Sequence, residues 1–336
     1  MQYTLHDKTI NTKIIASASY DPWYNLALEE YLLNTVEKNE IILYLWQNEN
    51  TVVIGRNQNP WKECKCRILE SDGGKLARRL SGGGAVYHDL GNLNFTFIMD
   101  KKLYDLHKQL KVIINAVNKM GIKAEFTGRN DITVNGKKIS GNAFYFKEVT
   151  AYHHGTILID SNMDKLVDYL QVSTDKIVSK GVDSVRSRVI NLKEMNPNID
   201  IPLAKKAVFQ SFLGIYGGSC EEIYVLDEEV NQYYNKYASW EWRYGHSPKF
   251  DLTLSNRFCW GGVELGMSFK DGNISNCKIY SDSLAVDLVE KISNTITGLP
   301  LDMGVITDAI TSIVVADKQE EEIKRDLSIW LSNQSL

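Results

Sequence analysis

Apolar and polar positions follow two periods along this chain. Asp21-Pro22 reads as an N-cap and first helical residue, and Trp23, Leu26, Ala27 and Tyr31 then recur at helical spacing. That spacing predicts an amphipathic helix over about 22–36. The runs 41-IILYLW-46, 51-TVVIG-55, 93-LNFTFIM-99 and 155-GTILID-160 are rich in β-branched and aromatic residues and read as strands. Leu106, Leu110, Ile113, Ile114 and Val117 mark one face of a helix over 104–120, and 202–216 and 228–238 read as two more. Further on, 257–269 and 273–281 read as a hairpin around Asp271-Gly272, followed by helical patterns at 284–296, 303–315 and 318–333. Helices interleaved with frequent hairpins predict an α+β fold with mixed or antiparallel sheets, not a doubly wound parallel sheet.

The aromatic stretch 239-SWEWRYGHSPKF-250 turns to Gly, Ser and Pro and suggests a boundary. We expect a large domain over 1–245, a linker over 246–254 and a small α/β domain over 255–336. Composition is that of a globular protein, with 43% apolar and 24% charged residues. A net charge of −4 argues against general nucleic-acid binding. The polar first residues and the lack of any apolar run near ~18 residues predict a cytoplasmic chain with no membrane span. Cys64, Cys66, Cys220, Cys259 and Cys277 are scattered, without a second close pair to complete a zinc site, and read as reduced thiols.

Two stretches carry candidate chemistry. In 78-RRLSGGGAVYHDLGN-92, three glycines follow two arginines. Glycine is costly to order, so the run suggests close approach of backbone to a ligand, with bare N–H groups cradling an anion. An equally economical reading is a flexible turn with two solvated arginines. Neither GxxxxGK[ST] nor GxGxxG is present. In 128-GRNDITVNGKKISGNAFY-145, Asn135-Gly136 signals a type I′ hairpin. A two-residue loop pairs Val134 with Lys137, Thr133 with Lys138, Ile132 with Ile139 and Asp131 with Ser140. Ile132, Val134 and Ile139 then face a core, while Asp131, Thr133, Lys138, Ser140 and Asn142 share a polar face. That face is either simply solvated or suited to nucleotide chemistry, with Lys138 neutralising a phosphorus centre and Asp131 holding Mg²⁺. Lys137 is expected at the exposed tip. His153 and His154 should point to opposite faces of a strand, and Trp46 and Trp61 read as core residues. The stretch 180-KGVDSVRSRVINL-192 reads as a loop carrying Arg186 and Arg188.

Together these segments resemble the lipoate–protein ligase A family. The resemblance runs through 20-YDPWYNLALEE-30, 45-LWQNENTVVIGRNQNPWKEC-64, the glycine run, 128-GRND-131, 137-KKISG-141, 153-HHGT-156, 180–192 and 258-FCWGGVEL-265, in order along almost the whole chain. It implies a catalytic domain like that of biotin protein ligases plus a C-terminal accessory domain. It also implies a two-step reaction: lipoate and ATP give lipoyl-AMP, and the lipoyl group then moves to a lysine of a lipoyl-acceptor domain, in 2-oxoacid dehydrogenase E2 subunits or the glycine cleavage H protein. By the same resemblance Lys138 contacts acyl carbonyl and phosphate, and Arg79 lies near the lipoyl–phosphate junction. Ser81, Gly84, Ala85, Val86, Tyr87, Asn92, Asn130, Asp131, Ser140 and Gly141 surround the adenylate. Trp46 walls the lipoyl tunnel, and His88 and His154 line the site. The resemblance implies ATP and Mg²⁺, with Asp131 the expected metal ligand, and a monomer is expected. A loop around 180–190 would close over the adenylate and exclude water. The alternatives are an octanoyl or lipoyl transferase of the same fold, which works through a cysteine thioester, and a non-catalytic lipoyl-binding protein.

Overall fold

A computed structural model describes residues 10–127, 131–171, 188–217, 221–222, 225, 227–245 and 250–334. The chain divides into two compact units. The first runs through Val53, resumes over Trp61–Arg78 and continues over Ala85–Arg243. The second gathers Ile54–Pro60, Arg79–Gly84 and the chain from Tyr244 onwards.

The first unit is built on a mixed sheet. In chain order its strands are β1 (Asn11–Ala16), β2 (Glu40–Trp46), β6 (Asn92–Asp100), β7 (Glu125–Thr127), β8 (Asp131–Val134), β9 (Lys137–Phe146), β10 (Thr150–Leu158) and β11 (Glu221–Glu222). Their spatial order is β11-β1-β2-β6-β10-β9-β8-β7. β1 and β2 are parallel and joined through the helix Pro22–Thr35, while β2, β6, β10 and β9 run antiparallel in turn. Asp21 caps that helix by accepting from the Trp23 amide, and Pro22 occupies its first position. A small sheet, β4 (Lys75–Arg78), β3 (Thr51–Ile54) and β5 (Val86–His88), carries the residues on either side of the glycine run.

Alternation along β2 and β6 separates two buried faces. Leu43, Leu45, Phe95, Phe97 and Met99 join the core formed with Ile113, Val117, Val208 and Phe212 of the helices Leu106–Lys119 and Ile201–Tyr216. The intervening residues Tyr44, Trp46, Asn92, Asn94 and Thr96 form a second, polar stripe, and Thr96 is hydrogen-bonded to Glu29 of the helix Pro22–Thr35. The second unit has an antiparallel sheet of β12 (Leu252–Phe258), β13 (Gly261–Lys270) and β14 (Asn273–Ser281), packed with the helices Val286–Ile296, Met303–Thr311 and Lys318–Ser332.

Four expectations are corrected. The run 257–269 is not one strand: the chain reverses between Phe258 and Gly261, where Gly261 takes a φ of 157°, and Leu252–Leu254, expected in the linker, already belong to β12. Trp61 is 47% exposed and no core residue, because it lies on the open side of the short helix Pro60–Glu63. The register of the 131–145 hairpin also differs, with consequences for the site.

Candidate functional site

The Asn135-Gly136 turn forms with φ values of 51° and 74°, and Val134 pairs with Lys137 and Thr133 with Lys138, as the two-residue loop requires. The register then shifts: Ile132 faces Ser140 and Asp131 faces Gly141, leaving Ile139 as the extra residue of a β-bulge. The physical effect is a change of face. Ile139 still enters the core, but Ser140 and Asn142 turn away from Lys138, and Gly141 takes the place expected for Ser140. Lys137 is exposed at the tip.

Lys138 Nζ lies 2.7 Å from Asp131 Oδ1, with both side chains partly exposed. The contact is an ion pair. Thr133 and Lys138 form the non-hydrogen-bonded pair next to the turn, so the main-chain groups of Lys138 point away from β8, and Val189 bridges to them on that side. The Lys138 amide donates to Arg188 O at 2.7 Å, and Ile190 N donates to Lys138 O at 3.0 Å. Asn130, Arg186 and the residues 180–187 lie outside the described residues, as does Cys220.

The adjacent polar stripe is joined by hydrogen bonds. Trp46 Nε1 donates to Thr96 Oγ1 at 3.0 Å, and Thr96 donates to Glu29 Oε1 at 2.8 Å. His154 Nδ1 meets the same carboxylate oxygen at 2.9 Å. His88 stands edge-on to Trp46, and its Nδ1 lies 3.2 Å from Asn48 Nδ2. Asn92 Nδ2 donates to Asn94 Oδ1, while Asn92 Oδ1 and Asn94 Nδ2 are buried and find no partner among the described residues. A buried amide so placed is a ready contact for a polar ligand. Thr156, opposite Asn94, accepts from the Gly141 amide. Glu29, Asn94 and Thr96 were missed from sequence. The signal was present as a carboxylate on the buried side of a helix and as polar residues at every second position of 92-NLNFTF-97.

The two histidines face opposite ways. His153 is buried between Gln109 Oε1 (3.0 Å) and Asn142 Oδ1 (2.9 Å), amid Phe95, Phe97 and Phe144. Burial, with a smaller contribution from His154, pushes its pKa down to about 3, so the ring is neutral at neutral pH.

The glycine run belongs largely to the second unit. Arg79 is buried within it: Nε donates to Ser81 Oγ at 3.1 Å, and Nη2 donates to Gly82 O at 2.7 Å and Gly84 O at 2.8 Å. A trans peptide sets C=O and N–H on opposite sides, so drawing the Gly84 carbonyl inward turns the Ala85 N–H outward. Gly82 packs within this unit against the chain around Ser283, where a Cβ would stand 2.2 Å from Ser283 O. Gly84 is exposed with open space beside it. In the first unit, Val86, Tyr87 and His88 continue as β5, paired with β3. Arg78 is structural: its guanidinium donates to Trp242 O and Arg243 O, and Trp242 Nε1 donates to Arg78 O.

Among the described cysteines, Cys64 and Cys66 are buried, and a hydrogen bond from Cys66, then burial, pushes the Cys64 thiol far above its ordinary value. Burial pushes Cys277 up to about 12. Neither environment favours a thiolate nucleophile.

This architecture is that of the lipoate protein ligases. The chain is 33% identical to P. falciparum LipL1, solved in complex with lipoate, over 95% of this chain and 100% of that one, with a TM-score of 0.81. The bi-partite lipoate protein ligase of Thermoplasma acidophilum, solved as part of a lipoylation system with its E2 lipoyl domain, is 24% identical with a TM-score of 0.65. It covers 72% of this chain and 100% of its own, and bears on the fold alone. The family model for the lipoyl protein ligase A/B catalytic domain matches residues 21–213, and that for the bacterial lipoate protein ligase C-terminus matches 247–331. Lipoate-protein ligase A of Psychrobacter cryohalolentis is 41% identical over 330 residues, 95% of this chain and 97% of its own length. The chain belongs to the lipoate-protein ligase A family.

Proposed function

We propose that this protein is an ATP-dependent lipoate–protein ligase. Lipoate attacks the α-phosphorus of ATP, giving lipoyl-AMP and pyrophosphate. A lysine amine of an acceptor domain then attacks the acyl carbonyl, forming the amide and releasing AMP. Membership of the family and the likeness to a lipoate-bound structure support the reaction class. The single observation that carries the residue assignment is Lys138 Nζ held at Asp131 on the bulged hairpin.

The first step brings two anions together, and Lys138 offsets their repulsion from a partly exposed position that a phosphate can reach. Arg79 draws the carbonyls of Gly82 and Gly84 inward. Ser81, Gly84, Ala85, Val86 and Tyr87 thereby shape a backbone cradle at the lipoyl–phosphate junction. Asn92, whose buried oxygen finds no partner among the described residues, Asn130 and Gly141 contact the adenylate, Ser140 supports the strand beneath, and Trp46, His88 and His154 line the acyl site. Asp131, a partly exposed carboxylate, would hold Mg²⁺, since a single carboxylate with substrate phosphates suffices for that cation. Mg²⁺ would neutralise phosphate charge during adenylation. Residues 1–245 form the catalytic domain and 255–336 the accessory domain in this reading. It extends to acceptors of the E2 lipoyl-domain and H-protein class, a monomer, and a cytoplasmic setting. No helix of the described residues is long and apolar enough to cross a membrane.

The test is ATP–pyrophosphate exchange. Exchange that depends on lipoate is expected; a transferase working through a cysteine thioester, or a binding protein, shows none.

A further inference from the structure

We infer that Gly141 is a positioning residue for Lys138: it leaves clear the space through which the lysine side chain crosses the strand to reach Asp131. The bulge makes this necessary. In a regular strand, residues three apart point to opposite faces. The extra residue Ile139 instead sets Lys138 and Gly141 on one face, with Asp131 directly opposite Gly141. Lys138 must therefore pass over position 141 to meet its partner. A Cβ at 141 would stand 2.8 Å from Lys138 Nζ and 2.9 Å from Lys138 Cε, and it meets no other described atom within 4 Å beyond the chain neighbours. Gly141 has no left-handed φ, so its need is for space, not for backbone freedom. The main chain on both sides is fixed. Lys138 is clamped by Arg188 and Ile190, and the Gly141 amide donates to Thr156 Oγ1 at 3.2 Å. The ammonium is consequently the part that yields to a methyl group.

The inference rests on the ligase reading for its kinetic readout, and the structural readout stands without it. In Gly141→Ala, kcat for lipoate-dependent pyrophosphate exchange should fall about 10- to 100-fold, the loss expected when a reacting group is misplaced by about 1 Å. A crystal structure of the variant should show Lys138 Nζ withdrawn from Asp131 on an unchanged backbone. Adding Gly141→Ala to Lys138→Ala should leave the melting temperature of Lys138→Ala unaltered, because the colliding atoms are gone. Full exchange by Gly141→Ala, an ammonium still seated on Asp131, or a double variant that melts below Lys138→Ala would each overturn the inference. If the wild-type protein shows no lipoate-dependent exchange, the ligase reading fails, while the structure and the melting comparison still decide whether Gly141 positions Lys138.

Discussion

Lys138 and His153 sit on neighbouring strands, and burial sets their chemistry apart. Lys138 keeps a partly exposed ammonium against Asp131, where an incoming anion can compete for it. His153 is sealed among aromatic rings with its pKa driven down to about 3. The unfolded chain binds this proton near pH 6.5, whereas the folded chain refuses it until about pH 3. The contribution to stability is thus fully present above pH 6.5 and is lost as pH falls from there toward 3. The expected slope is about 1.4 kcal/mol for each pH unit below about 6. Denaturant unfolding at pH 6.5 and 5.0 should show that slope in the wild-type protein, shallower by about the same amount in His153→Gln. Equal slopes would mean that His153 is protonated in the fold.

At the scale of elements, long periodic segments were legible and short or irregular ones were not. The helix over Pro22–Thr35 announced itself through Asp21-Pro22, and the central strands through runs rich in β-branched and aromatic residues. The Asn135-Gly136 turn was equally plain, since both positions need a positive φ. The bulge at Ile139 was hidden, because a single extra residue leaves local composition unchanged, and it alone exchanges Ser140 for Gly141 beside Lys138. The glycine run left close backbone approach and a flexible turn equally open, and nothing in it pointed to Ser283, two hundred residues away. Its environment yields a prediction. In Gly82→Ala the methyl group meets Ser283 O and Leu284 Cα, backbone atoms that cannot swing aside. The variant should lose about 1–3 kcal/mol of stability, and the Gly83 amide, 3.4 Å from Ser283 O, should exchange faster with solvent. An unchanged Gly83 amide would rule out this seating of the loop.

For the molecule as a whole, sequence contiguity is a poor guide to which residues form one body. The second unit includes Ile54–Pro60 and Arg79–Gly84, lent by distant parts of the chain. Asn57 binds it at two points: its carbonyl accepts from the Ser281 amide at 2.9 Å, and its Nδ2 donates to Val286 O at 3.0 Å. Asn57→Ala removes the second bond, at a cost of about 1–2 kcal/mol. Native-state hydrogen exchange should then show weaker protection in the helix Val286–Ile296 and none of that loss in β6 or β10. Uniform loss across both units would contradict the division. Activation of lipoate through Lys138 is read out by ATP–pyrophosphate exchange. Label should enter ATP only when lipoate is present, and Lys138→Ala should lower that rate at least about 100-fold at an unchanged melting temperature. Exchange that ignores lipoate, or that survives undiminished in Lys138→Ala, would contradict the account.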